Sequence, residues 1–153
     1  MTVERPHRAP RRAGGFTLVE LAVVVVAIGV LAAFGVPRFV RSVEQARAAE
    51  AFEYLASIRT AQERHRAQYD AYAPAVAELD VKAPPPRYFT MPATFSAGAT
   101  STLRDSWALT LPRAGASAGY GAYTVAFTEA GFDPAASTIA RGPAAIAINP
   151  IGD

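Results

Sequence analysis

The stretch GGFTLVELAVVVVAIGVLAAFGVP, from Gly14 to Pro37, decides the fold of this 153-residue chain. Between Phe16 and Val36 it holds 21 residues, of which only Glu20 carries a charge. This length and composition are those of a helix that can span the apolar interior of a bilayer. A carboxylate at that depth costs about 2.5 to 3.5 kcal/mol on insertion scales, so a plain anchor would be more stable without it. We therefore expect Glu20 to have a function.

The basic residues are concentrated ahead of the apolar run. Residues 1–15 hold four arginines and one glutamate, whereas residues 16–153 hold 11 basic and 12 acidic side chains. A phosphate-binding surface needs Lys and Arg on the folded domain, which has a single lysine, Lys82, so sequence-specific nucleic-acid binding is not expected. A basic segment before an apolar run is instead typical of an export signal whose positive end stays in the cytoplasm.

The small residues of this signal precede the apolar run. An ordinary secretory signal has its Ala-x-Ala-like cleavage site after a shorter apolar region. Here Gly14 and Gly15 come first. A peptidase that cuts there removes only the basic leader, residues 1–15, and leaves the hydrophobic helix on the mature protein.

The segment RRAGGFTLVEL, followed by a charge-free run that ends at Pro37, resembles the class III signal of type IV pilins and the related pseudopilins. The resemblance implies cleavage after Gly15 by a prepilin peptidase and N-methylation of Phe16. It also places the acidic assembly residue at Glu20 and the helix-bending proline at Pro37. The implied partners are further copies of the chain in a helical polymer, minor pilins, the inner membrane before assembly, the peptidase and an assembly platform.

The chemistry of Glu20 agrees with this resemblance. Cleavage after Gly15 creates a positive α-amino group on Phe16, and methylation keeps that charge. If Glu20 of one chain meets the amine of its neighbour, both charges are relieved and the helices stack with a fixed axial offset. A local alternative is that Glu20 only complements its own helix N-terminus, which contributes about 0.3 to 1 kcal/mol.

Pro37 has two interpretations as well. It cannot donate a hydrogen bond to Ala33, and Gly29 and Gly35 lower the helix propensity nearby. One interpretation is a simple kink where the membrane span ends. The resemblance implies that the segment from Gly29 to Pro37 can lose helicity in the filament and give it extensibility.

The residues beyond Pro37 predict an amphipathic continuation of the helix to about Tyr69, within a segment that covers 38–72. Apolar residues recur at three- or four-residue steps at Phe39, Val43, Ala46, Phe52, Leu55 and Ile58. The intervening charges are expected to form a solvated face, and some could bridge subunits in a filament: Arg38, Arg41, Glu44, Arg47, Glu50, Glu53, Arg59 and Glu63. Asp70 and Pro74 favour an end of the helix near YDAYAP.

Residues 73–153 predict a small head. AVAELDVKAPPP reads as a connecting loop, and four β-rich runs at 87–96, 106–113, 121–129 and 137–149 predict three or four antiparallel strands separated by glycine turns. The predicted fold is α+β, a long helix covered by a small sheet. The candidate sheet core is Tyr88, Phe89, Phe95, Trp107, Leu109, Leu111, Tyr123, Val125, Phe127, Ile139, Ile146 and Ile148. The turns are assigned to Gly98, Gly115, Gly119, Gly121 and Gly131.

No catalytic or cofactor motif is expected to function here. The chain has no cysteine, which excludes disulfides and thiolate metal sites, and its two histidines have no plausible partner set. Pseudopilins resembling this chain can bind calcium near the C-terminus, but Asp105, Glu129, Asp133 and Asp153 lack loop-like spacing and read as surface carboxylates. We predict neither an enzyme nor a metal site.

The sequence thus predicts a type IV pilin-like subunit, a single-pass inner-membrane precursor with a cytoplasmic N-terminus that later enters a cell-surface filament. One alternative is a pseudopilin of a type II secretion system, which builds a periplasmic rod. Another is a membrane-anchored binding module that does not polymerise. Adhesion, motility and DNA uptake remain open at this point.

Overall fold

The computed structural model describes residues 15–100, 102–116, 120–140 and 148–150. The chain forms two compact units whose boundary falls between Pro37 and Arg38. Residues 1–14 of the predicted leader, 1–15, lie outside the described residues, as do Gly119, Ile146 and Asp153 from the predictions above. The described residues confirm the predicted α+β fold.

One helix, α1, runs from Leu18 to Tyr69. It ends where expected, because Asp70 adopts a left-handed backbone conformation with φ of 57° and its N–H still bonds to the carbonyl of Arg66 at 2.9 Å. Asparagine and aspartate tolerate this conformation better than most residues. The helix includes Pro37, so the proline does not end it.

In the N-terminal unit, the residues of α1 expose their apolar side chains. Residues 15–37 are exposed throughout. By length and composition, α1 is the one helix among the described residues that could cross a membrane, and its most apolar window buries nothing within the chain. Such a surface needs lipid or other protein to cover it.

In the second unit, α1 packs one face into the core of the head. The residues that face the core are Glu44, Ala48, Ala51, Phe52, Tyr54, Leu55, Ile58, Ala61 and Gln62. Steps of three and four place them on one side of a helix with 3.6 residues per turn. They cluster with aromatic and aliphatic residues of the head, among which Trp107, Leu111 and Val125 are fully buried.

The sheet has three antiparallel strands in the order β1, β2, β3. Strand β1 spans Ala108–Pro112, β2 spans Thr124–Thr128 and β3 spans Gly131–Phe132. Leu109 lies opposite Phe127, and Leu111 lies opposite Val125. These pairs point their side chains into the core, since alternate residues of a strand share a face.

The predicted strand at 87–96 is not formed as a strand. It pairs with the β1 edge only at its ends, at Phe89 with Arg113 and at Ser96 with Ala108. Phe89 and Ser96 are seven residues apart, whereas their partners Arg113 and Ala108 are only five apart. The middle of the 87–96 segment must therefore bulge away from β1. There Thr94 pairs with Ala75 instead. Tyr88, predicted for the core, is 41% exposed.

The other strand predictions need smaller corrections. Residues 137–140 of the last run form no strand, and 141–147 lie outside the described part of the chain. Ser137 and Thr138 accept hydrogen bonds from β2 through their hydroxyl groups, at 2.8 and 2.7 Å. Gly131 closes the β2–β3 turn and is itself the first residue of β3. The loop after α1 contains a short 3₁₀ helix, Val76–Glu78.

Candidate assembly site at the helix N-terminus

The carboxylate of Glu20 caps the start of its own helix. Its Oε2 accepts hydrogen bonds from the backbone N–H and the hydroxyl of Thr17, both at 2.9 Å. In return, the Thr17 hydroxyl accepts from the N–H of Glu20 at 3.2 Å. This is a capping box, in which a Thr and a Glu three residues apart satisfy each other's free backbone donors. The Thr-x-x-Glu spacing in the sequence is the signature of such a capping box, although the sequence-based prediction did not include it.

Among the described residues, the capping box gives Glu20 hydrogen bonds but no cationic partner. Thr17 is neutral, and the Glu20 side chain is exposed. A hydrogen-bonded carboxylate that enters an apolar medium still carries its full charge, which is expensive without a cation. The local role of Glu20 is therefore realised in the chain, but it does not remove the need for a positive partner.

Gly15 and Phe16 lie immediately outside the helix. Residues 15–17 have no regular secondary structure, and α1 begins at Leu18. Phe16 is 81% exposed. A peptide bond in an exposed, non-helical segment can be bound by a peptidase in extended form, so the predicted cleavage bond is sterically open in the chain.

Gly29 and Gly35 are not required by packing within one chain. A Cβ at either position would meet no atom within 4 Å. Each glycine nevertheless costs about 1 kcal/mol of helix stability relative to alanine, and Pro37 removes a further helical hydrogen bond. The helix is continuous across these three residues, with reduced intrinsic stability.

A buried ion pair joins α1, near the start of the second unit, to the end of β1. The Arg113 Nε donates to Glu44 Oε1 at 2.7 Å, and both side chains are fully buried. The Tyr123 hydroxyl donates to the same oxygen at 3.0 Å, while Arg47, 27% exposed, lies 3.3 Å from Glu44 Oε2. We call Glu44, Arg47, Arg113 and Tyr123 the Glu44 cluster.

The Glu44 cluster is completed by backbone carbonyls and aromatic rings. Arg113 Nη1 donates to the carbonyls of Tyr88, at 3.0 Å, and Ala114. The guanidinium groups of Arg47 and Arg113 lie 4.4 and 5.3 Å from the centre of the Tyr88 ring. Burial raises the pKa of the Tyr123 phenol, and the nearby Glu44 carboxylate raises it further. These contacts compensate the desolvation of the pair.

A second polar residue fixes the other end of the buried helix face. Gln62 is fully buried. Its Nε2 donates to the Ala73 carbonyl at 3.1 Å, and its Oε1 accepts from the Ala73 N–H at 2.8 Å. These two hydrogen bonds hold the chain after the helix against α1. Both polar atoms of the Gln62 side chain therefore have a partner.

The prediction that Glu44 lies on a solvated face is wrong. Glu44 occupies the same helical stripe as Ala48, Ala51 and Leu55, so its position in the 3.6-residue period indicated burial even though its charge indicated exposure. Arg113, at the end of a strand-like run, gave no such signal. Only the fold brings these two residues together, since 69 positions separate them.

The acidic residues considered for calcium have local roles. Asp105 accepts a hydrogen bond from the Thr102 hydroxyl, and Glu129 accepts one from the backbone N–H of Trp107. Asp133 accepts hydrogen bonds from the backbone N–H groups of Ala135 and Ala136. Among the described residues, no three or more His, Asp or Glu side chains gather as a metal site would require. The prediction for Asp153 falls outside the described residues.

Known proteins are similar to parts of this chain. Residues 10–36 match the family described as "Prokaryotic N-terminal methylation motif". The chain is 52% identical over 50 residues to the type IV narrow pilus major component PilA5 of Thermus thermophilus, covering 33% of this chain and 43% of that protein. It is 36% identical over 75 residues to the type IV major pilin protein PilA of Myxococcus xanthus, covering 49% of this chain and 34% of that protein.

These matches are partial, and the chain spans less than half the length of each of these two curated relatives. No solved structure shows significant similarity to it. The match at residues 10–36 includes the glycines, Phe16 and Glu20 that carried the resemblance in the sequence. The resemblance is thereby confirmed: the chain carries the N-terminal methylation motif of prokaryotic type IV pilins.

Proposed function

We propose that the chain is a structural subunit of a type IV pilus-like filament, cleaved after Gly15, N-methylated at Phe16 and polymerised by stacking of α1. The single observation that carries the proposal is the exposed apolar part of α1, with one carboxylate, Glu20, in its first turn. The two pilins named above support the same role for this chain. The match to the N-terminal methylation motif, together with these two pilins, also favours a structural protein over an enzyme.

Apolar burial alone does not drive the step from membrane to filament. Lipid tails are about as apolar as leucine, so the exposed side chains of α1 gain little by exchanging lipid for neighbouring helices. Packing and polar contacts must therefore decide whether and how the helices stack. In the membrane half of α1, Glu20 is the charged group available for that purpose.

The partner of Glu20 is the α-amino group that cleavage creates on Phe16 of a neighbouring copy. Four residues separate Phe16 from Glu20, which corresponds to about 6 Å along a helix. Two parallel helices displaced by about that distance bring the carboxylate of one copy level with the amine of the other. The pair lowers the cost of both charges in the apolar filament core and sets the register.

The parts of the chain then act in sequence. Residues 1–15 form the cytoplasmic leader, 16–37 the membrane helix that becomes the filament core, 38–72 its amphipathic continuation and 73–153 the head. Gly29, Gly35 and Pro37 provide a stretch of low helix stability that can unwind under load. The peptidase, the assembly platform, minor pilins and the bacterial inner membrane are the partners of this pathway.

Substitutions at Thr17 and Glu20 separate the charge from the capping box. Glu20→Gln keeps a hydrogen-bond acceptor for Thr17 and loses the charge, whereas Thr17→Val keeps the charge and loses the side-chain contact. We expect Glu20→Gln to be processed but absent from the filament fraction sheared from cells, and Thr17→Val to assemble. The opposite pattern would assign Glu20 to helix capping alone.

The same preparation distinguishes the alternatives. A wild-type chain that is processed but found only in a short periplasmic rod, with exoproteins retained in a deletion strain, indicates the type II secretion pseudopilin. An unprocessed chain that stays in the membrane indicates an anchored binding module.

A further inference from the structure

Two blocks of like charge lie on α1, one on each side of the buried Glu44. In the sequence, Arg38 and Arg41 come first, Glu44 and Arg47 follow, and Glu50 and Glu53 come last. Glu44 is withdrawn into the core with Arg113. Arg47 lies against Glu44. The basic block is Arg38 and Arg41, and the acidic block that follows it is Glu50 and Glu53.

The two blocks have matching internal spacing. Three residues separate Arg38 from Arg41, and three separate Glu50 from Glu53, so each arginine is 12 residues from one glutamate. Twelve residues correspond to about 18 Å along a helix and a rotation of about 120°. The blocks therefore cannot pair within one helix, and they lie on different sides of it.

The side chains of both blocks are accessible. Arg38, Arg41 and Glu53 are exposed, and Glu50 is half-buried with one carboxylate oxygen accepting from the Arg87 N–H at 3.2 Å. Within the described part of the chain, Arg38 and Glu53 form no ion pair. A parallel copy displaced by about 18 Å brings both arginines level with both glutamates at once.

We propose that the basic block of one copy docks against the acidic block of another, Arg38 with Glu50 and Arg41 with Glu53. The partner is a second copy of this chain, because one axial shift satisfies both pairs. The two faces differ, so the contact is heterologous and can propagate without closing. The inference rests on the proposed filament function and adds a second contact that fixes register outside the apolar core.

This contact joins copies that lie further apart in the stack than the Glu20 contact does. Glu20 needs a displacement of only about 6 Å to reach the amine of Phe16, against about 18 Å for the charge blocks. A filament in which each copy touches several neighbours accommodates both. Each exposed pair is weak, but the pair recurs at every subunit, and reversal of one charge places like charges opposite each other throughout the polymer.

Charge reversal tests the pairing in the full chain. We expect Arg41→Glu and Glu53→Arg each to reduce the sheared filament fraction by about tenfold, and the double variant to restore it to within about threefold of wild type, as coupled residues do. Lys82→Glu and Glu78→Arg, which reverse exposed charges outside α1, are the matched controls and should assemble normally. Normal assembly of both single variants, or no recovery in the double variant, would overturn the proposal.

Cysteine cross-linking tests the displacement itself. The chain has no cysteine. Gln45 and Ser57 are also 12 residues apart, and each lies about one helical turn beyond one of the two blocks. Their separation of about 18 Å forbids a disulfide within one chain. With an added oxidant, Gln45→Cys/Ser57→Cys filaments should form a ladder of disulfide-linked multimers, whereas Gln45→Cys/Ala67→Cys filaments should not.

The outcomes keep the two proposals apart. If wild-type chain never enters sheared filaments, the proposed function fails. If wild-type filaments form but the charge-reversed variants assemble equally well and the 12-residue cysteine pair does not cross-link, the filament function stands and only this contact is refuted.

Discussion

The Glu44 cluster makes a sharp prediction about the stability of the head. Arg113→Met leaves the Glu44 carboxylate buried without its closest cation, 2.7 Å away in the wild type. Removing one partner of a buried pair costs about 3 to 5 kcal/mol. Arg47 stays near Glu44 and reaches solvent, so we expect the lower end, about 3 kcal/mol. For a domain of this size that corresponds to a fall in Tm of about 10 to 20 °C.

Trp107 provides the assay for this loss. It is the single tryptophan of the chain and is fully buried in the head, so its fluorescence in a urea titration of the detergent-solubilised chain reports unfolding of the head and not of the membrane helix. Arg47→Met is the matched control and should cost less than about 1 kcal/mol, because that pair is partly exposed.

A double variant tests the origin of the effect. Glu44→Leu with Arg113→Met removes both charges, and replacing both members of a buried pair by apolar residues is often close to neutral. The carbonyls of Tyr88 and Ala114 then lose their donor, so we expect recovery of about half of the single-variant loss. A loss below 1 kcal/mol for Arg113→Met, or simple additivity in the double variant, would refute the reasoning.

Three further predictions concern the head. Burial raises the pKa of Tyr123 in the folded chain. Its contribution to the free energy of unfolding is therefore complete below the unfolded pKa of about 10. That contribution is lost as pH rises above this value, by up to about 1.4 kcal/mol per pH unit. Tyr123→Phe should flatten this alkaline slope in urea titrations, and an unchanged slope contradicts it. Gln62→Leu leaves the Ala73 N–H and carbonyl without their side-chain partner and should cost about 1 to 3 kcal/mol in the same titration, with a neutral result refuting the amide clamp. Gly98→Ala places a Cβ 3.1 Å from Ser106 and should cost about 1 to 3 kcal/mol, whereas an unchanged urea midpoint would show that Ser106 gives way.

The sequence was most informative where local chemistry decides structure. The long helix and its end at Asp70 followed from hydrophobic periodicity and from the turn preference of aspartate, which the left-handed φ of Asp70 confirms. The motif at Gly15 to Glu20 carried the resemblance because a glycine, an aromatic residue and Thr-Leu-x-Glu follow one another there ahead of a charge-free run.

Long-range pairing was beyond local reasoning. The run at 87–96 has strand composition, but its register against β1 requires a bulge that only the paired segment reveals. The Glu44–Arg113 pair likewise depends on two residues brought together by the whole fold. The helical period places Glu44 on the buried face of α1. Burial of Glu44 could therefore have been predicted from its position in the helix, whereas its partner Arg113 could not.

The most direct test of the account is the mass of the N-terminal peptide of the chain recovered from sheared filaments. We expect a peptide that begins at Phe16 and is heavier than the unmodified peptide by one methyl group, together with processed but unassembled chain in cells that carry Glu20→Gln. A filament chain that retains the basic leader, or that begins at another residue, would contradict the proposed cleavage and with it the pairing of Glu20 with a new α-amine.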